Sequence, residues 1–104
     1  MRYLMRFSMP TDYANDTLAD PKFGEKMQDL LKEIKAEAAY FTTIDGQRGG
    51  YAVVNLNDAS EIPAVAEPFF LWLKSDIEFL PVMKPEDLMK AGPAIDAAVK
   101  KWNR

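Results

Sequence analysis

A chain of 104 residues, 48% hydrophobic and 28% charged, is long enough for one domain with a single core and too short for two. It has neither cysteine nor histidine, which excludes disulfides, structural zinc, iron–sulfur clusters, His-ligated haem, thiol nucleophiles and histidine acid/base chemistry. A formal charge of -3 repels phosphate backbones and anionic membranes, and no apolar stretch suits a bilayer span or a signal peptide, so a cytoplasmic domain without nucleic-acid or membrane partners is the expectation.

From Arg2 to Met9, Tyr3, Met5, Phe7 and Met9 alternate with Leu4, Arg6 and Ser8, the period of a strand. Pro10 ends it, and the polar stretch Thr11 to Ala19 reads as a loop. Asp20-Pro21 supplies a helix start, because Asp caps free amides and Pro loses no needed bond in a first turn. Phe23, Met27, Leu30, Leu31 and Ile34 then recur at helical spacing opposite charged residues, the pattern of an amphipathic helix.

Ala38 to Ile44 and Tyr51 to Leu56 are β-prone, and Asp45-Gly46 between them is a two-residue turn signal, so the pair reads as a hairpin with a bulge at Gly49 and Gly50. Asp58 and Glu61 stand at capping-box spacing before a second helical stripe of Ile62, Val65, Ala66, Phe69 and Leu73, which Pro68 is expected to kink. Asp76 to Met83 returns to strand character. After Pro85 comes a short helix ending at Gly92, then a last stripe of Ile95, Ala98, Val99 and Trp102.

The order strand, helix, strand, strand, helix, strand makes an α+β domain over residues 1–104. Its four-stranded antiparallel sheet has the order 4-1-3-2, both long helices lie on one face, and residues 84–104 form a helical tail. The other face has no cover from its own chain. It carries either Leu4, Tyr40, Ile44, Val54, Leu80 and Val82 or the still more apolar opposite set, and a second copy packed sheet to sheet is the economical cover. The tail is free to cover Phe70 and Leu71 or to reach across to a partner.

Glu67-Pro68-Phe69, Trp72 and the strand Ile77-Glu78-Phe79-Leu80-Pro81-Val82 resemble the Asp/Glu-Pro-Phe pattern and closing strand of YCII-related proteins in the dimeric α/β-barrel superfamily. The resemblance covers about a quarter of the chain. It implies a ferredoxin-like βαββαβ protomer, a sheet-to-sheet homodimer and an apolar small-molecule pocket between sheet and helices. It also implies a histidine beside the motif carboxylate, and this sequence has none. Other superfamily members are cofactor-independent monooxygenases and isomerases acting on small aromatic or lactone substrates.

The candidate ligand-binding residues are Tyr3, Phe7, Phe41, Tyr51, Glu67, Phe70, Trp72 and Phe79, with Met5 as an adaptable filler. Tyr51 and Glu67 are the candidates for proton transfer, a hydroxyl and a carboxylate in a desolvated setting. The plain alternatives are that Glu67 is solvent-exposed, that the aromatic stripes are core, and that the protein is structural or accessory. Arg6 and Glu78 fall on neighbouring antiparallel strands and form a candidate ion pair. Arg48-Gly49-Gly50-Tyr51-Ala52-Val53 echoes an RNA-binding strand but lacks its stacking aromatics, and no acidic cluster has metal-ligand spacing, so neither metal nor cofactor is expected.

Overall fold

The computed structural model describes residues 1–103. Strand β1 (Arg2–Ser8) leads into helix α1 (Thr11–Leu18) and helix α2 (Phe23–Glu33), followed by strands β2 (Ala38–Ile44) and β3 (Gln47–Asn55). A single 3-10 turn (Ala59–Glu61) enters helix α3 (Ile62–Leu73), strand β4 (Asp76–Pro81) closes the sheet, and helices α4 (Pro85–Lys90) and α5 (Gly92–Trp102) follow. The sheet is antiparallel in the order β2-β3-β1-β4, the topology expected from the alternation of elements.

Local chemistry sets the joints. Asp45 (φ 50°) and Gly46 (φ 80°) both take positive φ, the mirror-image turn that matches strand twist in a two-residue hairpin. Ile44 therefore pairs with Gln47, Tyr40 with Tyr51 and Ala38 with Val53. The predicted bulge at Gly49 and Gly50 is absent, and both glycines sit in regular register. Their lack of a side chain serves close approach instead: a Cβ on Gly50 would collide with the Tyr40 carbonyl oxygen, and one on Gly49 with the Phe7 carbonyl oxygen.

Thr11 to Leu18 is helical rather than a loop. No side chain caps it, and its cohesion is tertiary: Ala14 is buried, and the Tyr13 hydroxyl donates to the Trp72 carbonyl oxygen at 2.7 Å. Asp20 acts one step earlier than a cap at the first helical residue, accepting from the Lys22 amide at 2.9 Å ahead of α2. Asp58 does cap the 3-10 turn, accepting from the Ser60 amide. Helix α3 runs through Pro68 unbroken and ends where Lys74 turns left-handed.

The core lies between α1, α2, α3 and one face of the sheet. Met5, Phe7, Ala52, Val54, Phe69 and Leu73 are at its centre, each at most 1% exposed, and Phe7 packs on Phe69 with ring centroids 5.0 Å apart. The opposite face carries Leu4, Arg6, Tyr40, Tyr51, Val53, Glu78 and Leu80, with no helix over it among the described residues. Val54 thus belongs to the core and Val53 to the open face. The two-residue turn pairs even positions of β2 with odd positions of β3, which the expectation for Val54 overlooked.

Helices α4 and α5 do not fold back on this body. Apart from Ala91 and Gly92 at their joint, every residue from Met83 to Asn103 is exposed, and α5 packs on α4. The radius of gyration is 17.5 Å with extents of 58 × 28 × 21 Å. A compact chain of this length has a radius of about 13 Å, so the tail is a projecting arm. It leaves Phe70 and Leu71 uncovered.

Candidate functional site

The eight candidate ligand-binding residues are dispersed. Phe7 is core, Tyr3 and Phe79 meet edge to face across β1 and β4 at 6.1 Å, and Phe70 is exposed on α3. Tyr51 lies on the open face, whereas Glu67 is exposed on α3, which packs on the other face. The sheet separates the two groups proposed for proton transfer, because consecutive β3 residues alternate faces and Tyr51 stands opposite in sense to Ala52 and Val54.

Arg6 stands at the centre of a polar notch on the open face. Its Nη2 lies 2.9 Å from Asp45 Oδ2 and its Nη1 lies 3.6 Å from Glu78 Oε2. Asp45 is presented by the tight turn and Glu78 by direct pairing with Arg6 on β4. The notch holds about 170 Å³ with Ser8, Ile44 and Asp76 at its rim. The Arg6 Nε is buried without a hydrogen-bond partner. Exposed ion pairs of this kind stabilise by about 0–1 kcal/mol each, so the notch orients Arg6 more than it holds the fold.

An apolar groove runs along the sheet edge between β2 and the α1–α2 layer. Its two continuous sections hold about 220 Å³ and 320 Å³ and share Phe23, Met27 and Phe41; Leu18 lines one end and Leu31 the other. Phe41 is 58% exposed and meets the buried Phe7 edge to face at 6.2 Å, while Phe23 stacks on Trp72 at 5.4 Å. Phe41 therefore lines the groove directly, and Phe7 and Trp72 support its two walls. Among the described residues the one cation at the rim is Arg48, whose Nη1 donates to Asn15 Oδ1 at 2.8 Å.

The contributors that sequence reasoning missed are Leu18, Phe23, Met27, Leu31 and Arg48. The α2 residues read as core from their spacing; Met27 is core, and the edge position leaves Phe23 and Leu31 half-buried. Leu18 was hidden in a presumed loop; Ala14 and Leu18, four apart, were the available signal. Among the described residues no group of three potential metal ligands comes together, and no helix is long and apolar enough to cross a membrane.

Residues 1–96 match the family described as "Domain of unknown function (DUF3303)". The chain belongs to that family. The DUF3303 match takes in the sheet, the groove and the first half of α5, so the beginning of the arm is part of the family's domain. No curated protein matches the chain. Among solved structures, the de novo designed protein Ferredog-Diesel is similar at 13% identity over 77% of this chain and 83% of that one, with a TM-score of 0.41.

Proposed function

We propose that the chain works as a homodimer joined through its open sheet faces, and that each protomer holds a small, flat apolar acid in the groove between α2 and β2. The groove carries this reading. It combines three ring or thioether side chains, Phe23, Met27 and Phe41, with the cation Arg48 at its mouth. Apolar walls supply affinity and the guanidinium selects a carboxylate, a division of labour common in small-molecule sites. The dimeric α/β-barrel resemblance is consistent with it, although the groove lies at the sheet edge and away from Glu67.

Pairing of the sheets is favoured by what the open face would otherwise expose. Leu4, Val53, Ala38 and Leu80 form one cross-strand row, and Tyr40, Tyr51, Arg6 and Glu78 form the next. A face with an entire apolar row is unusual for a surface left in water. The expected mass in light scattering at micromolar concentration is two chains; a mass of one chain overturns the dimer. Aromatic carboxylate fragments should bind, and Phe41→Ala should weaken them about tenfold, equal to about 1.4 kcal/mol. Binding that Phe41→Ala and Arg48→Ala leave unchanged removes the ligand reading.

A further inference from the structure

We infer that each C-terminal arm docks on a second copy of this chain, over the groove between that copy's α2 and β2, so that one chain supplies the floor of the ligand site and the other its roof. This rests on the paired-sheet reading above. Four strands at about 4.8 Å spacing, with six residues each at about 3.4 Å, cover about 400 Å², half of the roughly 800 Å² per partner in a standard interface. Sheet pairing alone is therefore thin, and the arm makes up the difference. The 17 residues of the arm's two helices, end to end, span about 26 Å at about 10 Å width. The chain's 7414 Å² of accessible surface also exceeds the roughly 5,900 Å² expected for a compact monomer of its mass.

A two-fold axis parallel to the strands sets Arg6 against the partner's Tyr51, Glu78 against the partner's Tyr40, Leu4 against Val53 and Leu80 against Ala38, as follows from the registers. The cation meets an aromatic ring and the carboxylate meets a hydroxyl. An axis across the strands that keeps the leucine row covered instead drives Arg6 against its own copy, Leu4 or Arg2. The parallel axis wins on charge, and it lays β4 over the partner's β2. Leu80 and Ala38 share a cross-sheet row, so the arm, which begins just after β4, leaves beside the point where the partner's β2 begins and its groove opens.

The arm carries Leu88, Met89, Ile95, Val99 and Trp102, all exposed, and Ile95, Val99 and Trp102 form one helical stripe. Helix α5 ends in Lys100 and Lys101, whereas residues 11–33 around the groove hold six acidic and three basic side chains. Apolar stripe and basic end thus face an apolar groove with an acidic surround.

The cysteine-free sequence permits a clean test. Full-length Gln28→Cys, at the groove rim, and full-length Val99→Cys, on the arm, are mixed, refolded together and mildly oxidised; a reducible dimer joining the two variants is expected. Leu71→Cys mixed with Val99→Cys should give none. In a Trp72→Phe background, Trp102 emission should shift to the blue on concentration from monomer to dimer. A dimer by mass with no Gln28–Val99 cross-link and unshifted emission overturns the roof and leaves sheet pairing standing. Preferential Leu71–Val99 linkage also overturns it. A single-chain mass removes both readings.

Discussion

At the scale of single residues, charge in this protein is arranged mostly at the surface, where hydrogen-bonded partners hold several carboxyls below their ordinary range. Arg2 grips Glu37 with two hydrogen bonds, Nε to Oε2 and Nη2 to Oε1, both 2.9 Å. That hydrogen-bonded guanidinium holds the Glu37 carboxyl below its ordinary range, and the same bond raises Arg2. Asp20 is lowered first by the Lys22 amide and then by Lys26, and Asp58 by Ser60. A carboxyl whose folded value is depressed contributes stability in full above its unfolded value, and that contribution disappears as pH falls through the folded value. Stability should therefore decline in acid from about pH 5 downward. Glu37→Gln, which cannot titrate, should show a shallower decline over that range in denaturant midpoints measured against pH. A slope equal to that of the parent would remove Glu37 from the explanation.

At the scale of elements, the joints decide more than the propensities. The end of α2 is a Schellman motif: the Ala36 amide donates to the Leu31 carbonyl at 3.0 Å and the Lys35 amide to the Lys32 carbonyl at 3.0 Å. Lys35 sits at φ 55°, the left-handed position that glycine usually takes. Lys35→Gly should relieve that strain and raise stability by about 0.5–1 kcal/mol, less the entropy that glycine costs in the unfolded chain. Chemical denaturation with an unchanged m-value is the check, and a loss of stability would mean that the Lys35 side chain makes a contribution larger than the strain. The motif matters for the groove because it turns the chain from α2 directly into β2, fixing Leu31, Met27 and Phe23 along the edge where Phe41 emerges.

At the scale of the whole molecule, the proposed dimer makes the arm and the open face two parts of one interface. A single chain with the arm projecting should scatter with a radius near 17.5 Å. Val53→Asp places a carboxylate in the apolar row of the open face, where a paired sheet would bury it without a partner. The expected result is a single-chain mass with the helix and strand content retained by circular dichroism. Small-angle scattering of that variant should give the extended radius rather than the roughly 13 Å of a compact chain. A compact radius would mean that the arm folds back on its own body.

The sequence by itself determined the order of the four strands and the two long helices, the antiparallel sheet order and the hairpin at Asp45-Gly46. Period-two and helical apolar spacing and a two-residue turn are local physics that need no knowledge of the rest of the chain. It also determined what chemistry is out of reach, since no fold can supply a missing histidine or cysteine. Only the tertiary structure decided that Thr11 to Leu18 is helical, because its support comes from Tyr13 reaching Trp72, 59 residues away. Only it could separate Tyr51 from Glu67, since the face each side chain takes depends on register and packing rather than composition. The groove at α2 and β2 has the same origin. A stripe of Phe23, Met27 and Leu31 is identical in sequence whether it is sealed in a core or left open at an edge, and what distinguishes the two is which strand ends up outermost.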